Sequence, residues 1–107
     1  MTNLSETAPE ETADSLQIIF PSAFTPNGDG LNDTYRPDIE GETTQYLLRI
    51  YNPSRQLMFQ TTRPEEAWDG TFKGTAQPHG VYIYQLLCTD KNGKRYSRQG
   101  NFLILRH

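Results

Sequence analysis

Residues able to do chemistry are few in this chain, and one stretch concentrates them: Phe24-Thr25-Pro26-Asn27-Gly28-Asp29-Gly30-Leu31-Asn32-Asp33. Gly28 and Gly30 free the backbone for left-handed conformations, and the Asn and Asp side chains can cap the amides such a loop exposes. The same oxygens suit a hard cation. Asn27 and Asp29 fall at alternate positions before Gly30, with Asp33 further on, as in a calcium loop. Thr25, however, stands where the first acidic ligand belongs, and Arg36 where the bidentate glutamate belongs. The expectation is a turn that bonds its own amides. Asn27, Asp29 and Asp33 are a weak calcium candidate, and no other cofactor is expected.

Catalysis finds little to work with. The histidines are His79, within Pro78-His79-Gly80, and His107. No Ser-His-Asp set can be assembled from them. Cys88 lies inside an apolar strand pattern, with no helix N-terminus or basic neighbour to make it a thiolate. Glu65-Glu66 sits in a polar loop, where solvation keeps carboxylates ordinary. The chain is therefore not read as an enzyme. Trp68-Asp69-Gly70 and Pro78-His79-Gly80-Val81-Tyr82 suggest a tryptophan over one end of a core, an Asp-Gly turn, and a Pro-X-Gly entry to a strand. The alternative for Trp68, Tyr82 and Tyr84 is a carbohydrate platform, which requires Trp68 to be exposed.

The elements that must hold these residues are short strands. Leu16 to Phe20 is a β-rich run stopped by Pro21, and a turn-rich loop follows to Pro37. Gln45 to Tyr51 reads as a strand with Tyr46, Leu48 and Ile50 on one face; Asn52 to Arg55 turns the chain and Gln56 to Thr61 returns it. Trp68 to Gly74 carries a tight turn and a brief strand. Val81 to Thr89 is the strongest strand, Asp90-Lys91-Asn92-Gly93 the strongest turn, and Lys94 to Ser97 and Gly100 to Leu105 complete the set. No stretch keeps a helical period. The fold class is all-β: an Ig-like antiparallel β-sandwich of about seven strands, with Ile50, Phe59, Trp68, Val81, Ile83 and Ile104 buried.

Length and charge bound the rest. The 107 residues suffice for one domain, divided as an acidic linker over 1–15 and a folded module over 16–107. A net charge of -3 offers no basic field for nucleic acid. No apolar run is long enough to enter a bilayer as a helix, and one cysteine allows no intrachain disulfide. Met1 to Gln17 lacks the basic and apolar regions of a signal peptide, so the expectation is a cytoplasmic protein or a piece of a longer exported one.

The motifs together resemble one family, the gliding motility-associated C-terminal domain, which is the type B sorting domain of the type IX secretion system in Bacteroidota. Phe24 to Asp33 is similar to its F-[ST]-P-N-G-D-G-x-N-D opening. Ile50-Tyr51-Asn52, Trp68-Asp69-Gly70-Thr71, Pro78 to Tyr84, Asp90 to Gly93 and the ending Leu105-Arg106 follow in the family's order. One departure is Pro53-Ser54-Arg55, where members often carry Arg-Trp-Gly after Tyr-Asn. The resemblance implies a C-terminal signal that directs its host protein through the periplasm and across the outer membrane, to the cell surface or the medium. It implies the type IX machinery and an outer-membrane protein as partners, and a monomer in isolation. Recognition is expected at Pro26, Asn27, Gly28, Asp29, Gly30, Asn32 and Asp33, with Trp68, Asp69 and Gly70. The alternative is a structural Ig-like adhesion domain stiffened by calcium.

Overall fold

The computed structural model describes residues 16–28, 30 and 33–106; the expected linker over 1–15, together with Asp29, Leu31, Asn32 and His107, lies outside them. Among the described residues there is no helix and there are nine strands: β1 (Gln17–Ile19), β2 (Ala23–Phe24), β3 (Asp38–Glu40), β4 (Thr43–Tyr51), β5 (Leu57–Thr61), β6 (Thr71–Phe72), β7 (Thr75–Ala76), β8 (Gly80–Asp90) and β9 (Arg95–Ile104). The fold is an all-β sandwich. One layer is a five-stranded sheet in the order β2-β9-β8-β4-β5. The other is broken, built from the β1–β3 ladder, a bridge between Tyr35 and Trp68, and the β6–β7 hairpin.

Pairing is antiparallel except at one edge. There β2 runs parallel to β9, with Ala23 opposite Leu103 and Phe24 opposite Ile104. Pro21, which has no N–H to donate, precedes this short contact and suits its confinement to an edge.

The core lies between the layers and is largely aromatic. Tyr46, Leu48 and Ile50 face it from β4, as their spacing leads one to expect. Tyr82, Leu86 and Cys88 face it from β8, and Tyr96, Phe102 and Ile104 from β9. The second layer returns Phe24, Tyr35 and Trp68, and the Tyr35 and Phe102 rings stack with centroids 3.8 Å apart. Ile50, Trp68 and Ile104 are buried as expected and Phe59 is half-buried, but the phase of β8 is the reverse of the expectation. Val81 is 46% exposed and Ile83 half-exposed, because they belong to the outer face of the five-stranded sheet. Valine-tyrosine-isoleucine-tyrosine is apolar in both phases, and the large rings of the second layer select the tyrosine side.

β9 is also one strand where two were expected. Gly100 is no break. It stands opposite Tyr84, and a Cβ there would lie 2.4 Å from the Tyr84 hydroxyl oxygen. The glycine makes room for the Tyr84 ring, which stacks on Phe20 of the second layer at 3.6 Å.

Candidate functional site

The register gathers the unusual motifs at one end of the sandwich. β8 begins at Gly80 opposite Ile104, where β9 ends, and β2 ends at Phe24 opposite the same Ile104. The loop that starts at Thr25 therefore leaves beside the residues that follow β9. The Leu103 amide donates to the Ser22 carbonyl, and the Leu105 amide to the Phe24 carbonyl, both at 2.9 Å. The far side of the loop returns to Tyr35, whose amide and carbonyl exchange hydrogen bonds with Trp68 at 2.8 and 2.9 Å. Both flanks of the loop end in a buried ring, since Phe24 and Tyr35 pack against each other at 5.6 Å.

Within the loop Asp33 is the organiser. One carboxylate oxygen accepts the Asn27 and Gly28 amides at 3.2 and 3.0 Å, and the other accepts the Gly30 amide at 2.7 Å. Gly28 and Gly30 have φ of 79° and 85°, so the amides converge on the carboxylate only through left-handed backbone that glycine adopts without strain. For Asp33 this is the self-bonding expected from the sequence. Of the three calcium candidates, Asp33 has both oxygens occupied by amides, Asn27 contributes its own amide to that net, and Asp29 lies outside the described residues. Among the described residues no three His, Cys, Asp or Glu side chains are grouped to hold a metal ion.

Trp68-Asp69-Gly70 lies against this loop. The Asp69 carboxylate accepts the amide and hydroxyl of Thr71 at 3.0 and 2.7 Å, and the Trp68 indole donates to the Thr71 carbonyl at 2.8 Å. Gly70 has φ of 85°, and a Cβ on it would lie 3.1 Å from Pro26 Cγ, so the turn and the loop interlock. Trp68 is 1% exposed and Tyr82 3%. With Trp68 and Tyr82 buried, the alternative of a carbohydrate platform built on them fails. Trp68 is a support beneath the site, with Asp69 exposed above it. The Tyr82 hydroxyl donates to the Pro78 carbonyl at 2.8 Å, which anchors the Pro-His-Gly turn from below.

One contributor escaped the sequence reading as a site residue. Arg106 donates from Nε to the Gln77 carbonyl at 2.6 Å, and from its two terminal nitrogens to the carbonyls of Pro26 at 3.3 Å and Gly70 at 3.5 Å. The signal available was a single cation closing an apolar strand. Nothing in its spacing to the other motifs marks it.

Pro26, Asn27, Gly28, Gly30, Asp33, Asp69 and Gly70 thus come together with Trp68 behind them, while Asn32, like Asp29, is outside the described residues. Burial pushes the Tyr35 hydroxyl well above the usual tyrosine range, with Tyr84 adding to it. Burial likewise raises Tyr82, against a lowering by Arg106. Away from the cluster, Cys88 is buried and its thiol is pushed up by desolvation, opposed by Arg98 and reinforced by Asp90. His79 is exposed in its turn. Among the described residues the cluster presents Asn27, Gly28, Gly30 and Asp69 to solvent, above the buried rings of Phe24, Tyr35 and Trp68.

Residues 18–105 match the family model described as CHU_C type IX secretion signal domain. No curated protein is similar enough to match.

Proposed function

This chain belongs to the type IX secretion signal domain family, and on that premise we propose how it works: as a folded sandwich read at its loop end. Members mark the protein that carries them for export across the outer membrane by the type IX machinery, and the chain shares that export-signal role. The observation that carries the proposed mechanism is the convergence of Pro26, Asn27, Gly28, Gly30 and Asp33 with Trp68 to Gly70 and the Pro78 turn on one end of the molecule, each group held by named hydrogen bonds. A rigid patch of turns loses little entropy when a partner docks on it. In this account Pro26, Asn27, Gly28, Asp29, Gly30, Asn32, Asp33, Asp69 and Gly70 meet the machinery, and the module acts by being bound, without catalysis.

The module occupies residues 16–107 and the acidic segment over 1–15 joins it to its host. The host passes the periplasm, docks on an outer-membrane component as a monomeric module, and ends at the surface or in the medium. In this account the loop works without an ion, and the bonds from its amides to Asp33 support that reading.

Fusion of the 107-residue chain to a periplasmic reporter tests this reading. The reporter is expected outside the cell in a strain with the type IX apparatus and in the periplasm of the same strain without it. Equal distribution in the two strains rejects the sorting role for this chain.

A further inference from the structure

Three separated parts of the chain meet on a single side chain. Arg106 reaches back from the end of β9 and places its guanidinium among the carbonyls of Gln77, Pro26 and Gly70, at 2.6, 3.3 and 3.5 Å. Among the described residues Arg106 is half-buried and makes no ion pair, so its charge is spent on backbone oxygens. A guanidinium is suited to this: five N–H groups in a fixed plane can serve three acceptors at once, whereas an ammonium on a flexible stem cannot present the same fork. The fit is mutual. Gly70 has no side chain, and a Cβ there would come within 3.4 Å of a terminal nitrogen of Arg106 and 3.1 Å of Pro26. The Gly70 carbonyl also accepts the Gln77 amide at 2.9 Å, so two of the three acceptors are already tied to each other. Pro26 is the one that Arg106 adds, and Pro26 opens the loop that Asp33 closes.

We propose that Arg106 is the positioning residue of the recognition end: seated on the carbonyls of Pro26, Gly70 and Gln77, it holds Pro26, and through it the Asn27, Gly28 and Gly30 amides gathered by Asp33, in the place that the export machinery reads. Asp33 sets the loop's internal turn, and Arg106 sets where that turn stands on the sandwich. The inference rests on the loop end being the contact surface, as proposed above. It assigns to Arg106, two residues past the end of β9, a role distinct from the packing of Phe102 and Ile104.

The test uses Arg106→Lys and Arg106→Ala in the 107-residue chain, with Arg49→Lys as control. Arg49 bonds Gln60 at 2.8 Å on another part of the sheet. Two readouts are compared: amide hydrogen exchange at Asn27, Gly28 and Gly30, and export of the reporter fusion. Both Arg106 variants are expected to keep the cooperative melt, to exchange at the three loop amides about tenfold faster than the parent, and to lose most export. Lysine does not rescue them, and Arg49→Lys behaves as the parent. Methylguanidinium added to Arg106→Ala restores slow exchange, which a general loss of packing would not permit. Unchanged loop exchange in both Arg106 variants overturns the proposal whatever happens to export. Faster exchange with full export also overturns it, because the loop's shape is then not what is read. If the parent fusion itself fails to leave the cell, the sorting reading fails, and the exchange measurement still decides whether Arg106 holds the loop.

Discussion

At the scale of single residues, the site is an exercise in satisfying backbone groups without regular structure. Asp33 takes three amides, Asp69 takes the Thr71 amide and hydroxyl, and Arg106 takes three carbonyls. Each is a charged side chain bonded to backbone, the stronger kind of hydrogen bond. Gly70 is the least replaceable member. Gly70→Ala must put a Cβ at φ of 85° and against Pro26 at 3.1 Å, so a loss of about 1–3 kcal/mol is expected in thermal or denaturant melts. Gly74, with φ of 82° and open space around it, supplies the comparison, since alanine there meets the backbone penalty alone. Calcium provides a second test at this scale. Because the Asp33 oxygens already accept amides, melting in millimolar calcium and in chelator is expected to coincide. A stabilisation of about 2 kcal/mol or more by the ion would show instead that the loop is a calcium site.

At the scale of elements, the hairpin joining β8 to β9 holds the end of the sandwich opposite the loop. Asp90 is buried, and one of its oxygens accepts the Asn92 and Lys94 amides at 2.9 Å each, while the other accepts the Tyr96 hydroxyl at 3.1 Å. That hydroxyl in turn accepts the Leu16 amide at 3.1 Å, so the cap ties the hairpin to the first described residue. Burial alone would raise the Asp90 carboxyl. The Lys94 and Asn92 amides, the Tyr96 hydroxyl and the Lys94 charge outweigh it, and the group lies below the usual 3.8. A carboxyl that binds its proton more weakly in the folded state stabilises the fold above the ordinary carboxylate range and ceases to do so as pH falls through its folded value. Asp90→Asn is therefore expected to melt lower than the parent at neutral pH and to converge with it as pH falls through the folded value of the Asp90 carboxyl. A parallel offset at every pH would remove the ionised cap from the account. The hairpin itself was legible in the sequence, because Asp90 to Gly93 carries turn chemistry that few other local structures use. The inward phase of β8 was not, since Val81-Tyr82-Ile83-Tyr84 has no polar face to orient it. Nor were the brief β2 and β3, whose two or three residues give no period to read.

At the scale of the whole molecule, the aromatic core joins the site to the fold. Phe102 on β9 touches Phe24, Tyr35, Trp68 and Tyr82, so the ring that underlies the loop flanks and the tryptophan turn is supplied by the last strand. The family motifs were legible because each is a turn with its own chemistry. Their convergence was not, because it depends on the parallel pairing of β2 with β9 across nearly the whole chain. The same long separation hid Arg106, whose three acceptors lie 29, 36 and 80 residues away. The central claim is that the export machinery reads this module as a folded body whose loop end is held in place by β9. Removing 100–107 from the reporter fusion tests it most directly. The deletion takes away Phe102 and Ile104, both buried, together with Arg106. Their loss costs about 5 kcal/mol or more, against about 5–15 kcal/mol for a domain of this size. The truncated fusion is expected to remain in the periplasm or to be degraded there, while the intact fusion reaches the cell surface. Surface display of the truncated fusion at the level of the intact one would contradict the account.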